Sequence, residues 1–126
     1  MQTKVLLSIK PHFAEQIFSG VKRYEFRRVL FRSKSVTKVI VYASSPIQRI
    51  VGEFDVEAIL ALDVEQLWEK TKKHSGIEKS YFDQYFDGRC TAYAIKISLA
   101  RRYRIPKKLG HVCTSKRPPQ SFQYLR

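Results

Sequence analysis

A chain of 126 residues and 14.8 kDa fits one domain and leaves no room for two full ones, and its 44% apolar and 13% aromatic residues suffice for a core, which excludes wholesale disorder. Lysine and arginine number 24 against 11 aspartates and glutamates, a formal charge of +13, beyond the roughly 2–8 charges that solubility asks of a small domain. The longest apolar runs, Val39–Ala43 and Ala58–Leu62, are far below the roughly 18–20 residues of a membrane span. Residues 1–20 lack a basic-then-apolar leader, and Cys90 and Cys113 are too few for a disulfide framework. The expectation is therefore one soluble, cytoplasmic domain over residues 1–126, with no membrane association.

In chain order, Lys4–Ile9 is short, apolar and branched, which predicts a buried strand. Pro11 suits a first helical position, Phe13, Ala14, Ile17 and Phe18 recur at helical spacing, and Gly20 supplies the stop. Residues 22–28 alternate as a strand, with Tyr24 and Phe26 on one face and Arg23, Glu25 and Arg27 on the other. A basic loop over 29–35 leads to a second apolar strand, Val36–Ala43. Ser44-Ser45-Pro46 then suits a turn, or a short helix capped by Ser45. Ile50–Leu60 reads as a strand, with Gly52 marking a bulge or bend.

Asp63 to Lys73 has helix composition, with Asp63 as cap and Val64, Leu67, Trp68 and Thr71 on one stripe. After the Ser75-Gly76 break, a second short helix over 80–86 turns Tyr81, Phe82, Tyr85 and Phe86 inward, closed by Gly88. Thr91–Leu99 alternates as a strand that Arg101–Ile105 can prolong as an edge. Residues 106–126 read as an irregular basic tail, pinned back by Phe122, Tyr124 and Leu125. The order βαβββααβ, with short strands in the majority, predicts an α+β fold built on a small mixed β-barrel with flanking helices.

The charge is segregated. Residues 1–49 hold ten basic side chains against Glu15 and Glu25, residues 50–87 hold nine of the eleven acids, and from Gly88 onward ten basic residues face no acid. Adjacent basic segments make a positive face for a polyanion, and aromatics among them (Tyr24, Phe26, Phe31, Tyr103, Phe122, Tyr124) offer stacking surfaces for unpaired bases.

The run Gly20-Val-Lys22-Arg-Tyr-Glu25-Phe-Arg27 carries the densest chemistry. Glu25 and Arg27 share a strand face, and Lys22 lies at the helix–strand turn, where a bulge can bring it round to them. Lysine with arginine holds a phosphate or a developing negative charge, and a glutamate beside them accepts a proton or reads a base edge. The alternative is an ordinary surface ion pair. His111-x-Cys113 has no second ligand pair at zinc spacing, Cys90 reads as a small buried residue, and there is no Walker loop, G-x-G-x-x-G or G-x-S-x-G motif. No metal and no cofactor are expected.

Leu7-Ser-Ile-Lys-Pro11, Ala14-Glu-Gln-Ile-Phe-Ser-Gly20 and Lys22-x-x-Glu25-x-Arg27, with Tyr42-Ala-Ser-Ser-Pro46, Gly52-Glu-Phe54 and the terminal Pro118-Pro-Gln-Ser-Phe122-x-Tyr124-Leu125, resemble the ASCH domain of the PUA-like superfamily. The likeness is to its small stand-alone prokaryotic and phage members, often labelled predicted transcriptional regulators. It implies a PUA-like barrel that binds RNA or a nucleotide-like ligand in a cleft walled by Gly20–Arg27. Some ASCH relatives are ribonucleases, and another PUA-like branch hydrolyses the amide of N4-acetylcytidine. That branch's lysine falls on Lys22, but its nucleophilic threonine falls on Glu25, and a carboxylate does not replace an alkoxide. Its acidic partner falls near Glu78.

Two functions follow. In the first, the protein is an RNA- or nucleotide-binding module, with Lys10, Lys22, Glu25, Arg27, Arg28, Ser44 and Ser45 around the ligand and Arg101, Arg102, Arg104, Lys107 and Lys108 gripping the phosphate backbone. The second is a small hydrolase acting on single-stranded RNA or a modified nucleoside, with Lys22 stabilising charge, Glu25 handling the proton, and Tyr24 or a serine hydroxyl assisting. DNA is the alternative polyanion, but the acidic helices lack a helix-turn-helix pattern suited to a major groove.

Overall fold

The computed structural model describes residues 4–111, 118 and 122–125. Strand β1 (Lys4–Ile9) leads into helix α1 (Pro11–Ser19), then β2 (Tyr24–Arg27), β3 (Lys38–Ala43) and the long β4 (Arg49–Leu62). Helix α2 (Val64–Thr71), a 3-10 turn (Lys72–His74) and α3 (Lys79–Tyr85) cross to β5 (Ala92–Lys107), a second 3-10 turn (Leu109–His111) and β6 (Phe122–Leu125). The six strands form one sheet in the order β2-β5-β4-β3-β1-β6. All pairings are antiparallel except β1 with β3. No helix among the described residues is long and apolar enough to cross a membrane.

This is the expected α+β architecture, although the sheet is not closed by backbone pairing. The loop after β2 reaches β6 through one ring and two backbone N–H groups. The Phe31 ring meets Phe122 edge-on at 6.0 Å, and the Tyr124 hydroxyl accepts from the backbone N–H groups of Arg32 and Ser33 at 2.9 and 3.0 Å. The carboxy-terminal segment is more regular than its prolines indicate. Pro106 and Lys107 complete β5, and Phe122–Leu125 pair with β1, so the aromatics expected to pin the tail do so as a strand. Residues 112–117 and 119–121, including Cys113 of the His111-x-Cys113 pair, lie outside the described residues.

Each element follows from local chemistry. Both faces of β1 and β3 are buried, which is why their sequences run apolar without alternation. Val5, Leu7, Val39, Val41, Phe54 and Ile95 pack under Ala14 and Ile17 of α1, whereas Leu6, Ile40, Tyr42 and Ile50 meet Leu109 and Leu125 on the opposite face. A third cluster seats α2 and α3: Leu67, Trp68, Phe82 and Phe86 press on Phe26, Ala92 and Ala94, whose small side chains let the helices approach. Asp63 caps α2 as expected, accepting from the Gln66 N–H at 2.9 Å. At Gly52 a Cβ would collide with the Phe18 ring and the Arg101 carbonyl. The strand bends here, with register shifts on both sides of β4, because only glycine lets α1 and β5 come so close.

Two expected burials are corrected. Cys90 is exposed, standing in the loop before β5 where no core residue covers it. Tyr81 is 37% exposed rather than core, because α3 uses Phe82 and Phe86 as its buried stripe and presents Tyr81 sideways.

Candidate functional site

The curl of the sheet folds β2 back toward the end of β1, and a cavity of about 460 Å³ opens between them. Pro11 starts α1 directly after β1, which sets Lys10 and Phe13 beside Ser8 and Ile9 on one wall. Lys22, Glu25, Phe26, Arg27 and Arg28 form a second wall, and α3 with its following loop adds Tyr81, Tyr85 and Arg89. Arg27 Nη1 spans the walls, 3.5 Å from the Ser8 carbonyl.

The three residues of the Gly20–Arg27 run converge here. Glu25 and Arg27 share a face and meet, Nη1 to Oε2, at 3.2 Å, with both side chains largely buried. Lys22 precedes β2 and is turned inward by its backbone N–H, which donates to the Gln16 carbonyl at 3.0 Å. It is 2% exposed, and its Nζ donates to the Ser75 carbonyl at 2.7 Å and sits 4.9 and 4.8 Å from the ring centres of Phe13 and Phe26. Gly76 makes room for the lysine stem. A Cβ there would lie 2.9 Å from Lys22 Cβ and Cγ, and its φ of +72° disfavours any other residue.

Electrostatics follow from this burial. Desolvation draws the Lys22 ammonium down to about 8, only partly offset by the field of Glu25. Desolvation likewise raises Glu25, against the opposing pull of Arg27 and Lys22. Burial also raises the Tyr85 hydroxyl, which donates to the Phe26 carbonyl at 3.2 Å. The cavity therefore carries five cationic side chains (Lys10, Lys22, Arg27, Arg28, Arg89) against one carboxylate.

The other expected site residues stand elsewhere. Tyr24 packs with the α2–α3 cluster. Ser44 and Ser45 occupy the β3–β4 turn, where the Ser44 carbonyl accepts from Ile47 and Gln48 and the Ser45–Pro46 bond is cis. Arg102 lies across α1 from the cavity, bidentate to Glu15 at 2.6 and 2.8 Å, and lines a separate groove. Arg101 pairs with Glu53 and Asp55. Arg104, Lys107 and Lys108 are exposed, with Lys107 over the Tyr103 ring. The acid-free terminal third thus meets acids contributed by α1 and β4.

Sequence reasoning missed Phe13, Tyr81, Tyr85 and Arg89 on the cavity wall and the Ser75 carbonyl behind Lys22. Tyr81 and Tyr85 carried a usable signal, since a tyrosine on an apolar stripe needs somewhere to send its hydroxyl. Ser75 lies 53 positions from Lys22 and carried none.

The chain is similar to known proteins over nearly its whole length. The ASCH domain family model matches residues 7–101. The large ribosomal subunit protein uL22 of Ureaplasma parvum is 32% identical over 122 residues, which are 97% of this chain but 39% of that protein, so the chain spans about two fifths of that relative. The ASCH domain-containing ribonuclease of Zymomonas mobilis is 29% identical over 125 residues, 98% of this chain and 84% of that one. The crystal structure of ASCH from Zymomonas mobilis superposes with a TM-score of 0.88 at 30% identity, over 98% of this chain and 88% of that chain.

Proposed function

The chain belongs to the ASCH domain family, and from that premise and the chemistry of the cleft we propose that it binds RNA. One observation carries the reading: five cations, one carboxylate and four aromatic rings surround a single cavity of about 460 Å³, within the range of small-ligand pockets. A strand end or an extruded nucleotide fits such a space; a duplex does not. The exposed Arg104, Lys107 and Lys108 extend the positive surface beyond the cleft. Arg101 and Arg102 reach a phosphate only by exchanging their carboxylate partners for it.

A second reading, hydrolysis of single-stranded RNA, is favoured by the relative named as a ribonuclease, and by a buried lysine that exchanges its proton near pH 8 beside a buried carboxylate. In it, Lys22 and Arg27 stabilise charge developing on the phosphate, and the Lys22–Glu25 pair handles the proton.

A labelled single-stranded RNA, followed by anisotropy and on a denaturing gel, separates the readings. Binding that weakens steeply with salt and is lost on Arg28→Glu, with the RNA intact, supports the binding module. Fragments made by the wild type and absent with Lys22→Ala support hydrolysis. Neither binding nor cleavage overturns both.

A further inference from the structure

Every aromatic ring on the cleft wall already carries a cation. Lys22 Nζ lies between Phe13 and Phe26, the Arg28 guanidinium stands 4.4 Å from the centre of Tyr85, and Lys10 Nζ is 5.7 Å from that of Tyr81. A ring face occupied by a cation is no platform for a nucleobase unless the cation leaves. The ring edges are engaged as well: Phe13 meets Tyr81 edge-on at 5.6 Å, and Phe26 meets Phe82 at 5.3 Å.

Three acceptors of the cleft wall each already hold a donor of the protein. The Glu25 carboxylate accepts from Arg27, the Ser75 carbonyl from Lys22, and the Phe26 carbonyl from Tyr85. Donors, by contrast, are in surplus. A lysine ammonium has three N–H groups, and Lys22 spends one on the protein. Among the described residues Arg28, Arg89 and Lys10 make no ion pair, although all three border the cavity.

We propose that the cleft recognises phosphate groups and is indifferent to the base, taking two or more neighbouring phosphates, whether from an RNA backbone or from a free di- or triphosphate. This deepens the RNA-binding reading and rests on it for the natural ligand, but the phosphate chemistry stands by itself. The charge surplus sets the number: one phosphate monoester carries about −1.5 to −2 at neutral pH, which neutralises at most half of four uncompensated cations. Arg28 and Arg89 hold the outer phosphate and Lys22 the inner one, while the rings keep those cations aimed.

Displacement of a labelled single-stranded RNA by inorganic pyrophosphate, ADP or adenosine tests it, with calorimetry of pyrophosphate alone beside it. Pyrophosphate and ADP displacing the RNA with similar strength, and adenosine not at all, is the expected result. An Arg28→Gln, Arg89→Gln double variant should weaken pyrophosphate at least tenfold while its circular dichroism stays unchanged. Adenosine competing where pyrophosphate does not, or pyrophosphate binding the double variant undiminished, overturns the proposal. RNA that binds and resists pyrophosphate overturns it and spares the RNA-binding reading. Pyrophosphate binding without RNA binding supports it and removes that reading.

Discussion

Replacing Lys22 by methionine keeps the length and most of the volume of the side chain and removes one titration. In the unfolded chain that lysine holds its proton to 10.5, whereas burial brings it to about 8 in the folded protein. Between these values the unfolded chain binds more protons, so stability rises with pH across the window. The difference of about 2.5 pH units corresponds to about 3 kcal/mol by which the protonated lysine burdens the fold at pH 7. By pH 9.5 roughly 2 kcal/mol of that burden is gone, because the folded state has released its proton and the unfolded state has not. Urea denaturation of wild type and Lys22→Met at pH 7.0 and 9.5 reads it. The offset between the proteins at pH 7 mixes the lost Ser75 bond and ring contacts with relief of desolvation, but the change in that offset with pH isolates the proton. The expected change is about 2 kcal/mol in favour of the wild type. Parallel stability profiles for the two proteins would refute the reasoning, since they would mean that Lys22 titrates alike folded and unfolded.

The glycines give a matched comparison. Gly76→Ala and Gly88→Ala should each cost about 1 kcal/mol in thermal unfolding from their positive φ, but only Gly76→Ala, whose new methyl meets Lys22, should also weaken RNA or pyrophosphate binding. Burial alone would raise Glu53, yet hydrogen bonds from Arg101, Lys38 and Tyr103 hold it at about 2. Its contribution is present above the ordinary value of 4.5 and fades as the pH falls toward 2, so acid unfolding of Glu53→Gln should be flatter than wild type over that span. Phe82 is fully buried where α3 meets Phe26, Trp68 and Phe86, and Phe82→Ala should cost about 3–5 kcal/mol in urea denaturation. Charge reversal at Arg104 with Lys107 should weaken RNA binding more than reversal at Arg101, whose charge already serves Glu53 and Asp55, by anisotropy at matched salt.

Local periodicity was enough for the element order as far as β5, the helix caps at Asp63 and Gly20, the apolar strands and the bend at Gly52, because each depends on neighbours a few positions away, whereas β6 was read as irregular tail. The same held for the meeting of Glu25 with Arg27, since residues two apart on a strand share a face whatever the fold does. Which side chains surround them was beyond its reach. Lys22 is buried because a turn 53 residues later supplies a carbonyl and a glycine gap, and Tyr81 faces the cavity because Phe82 and Phe86 took the core. The carboxy-terminal positives looked unopposed in one dimension, yet α1 and β4 bring acids to Arg101 and Arg102. Short-range order is written in spacing, while burial, pairing and the field at an ionisable group depend on atoms from distant segments, and only the folded chain brings those together.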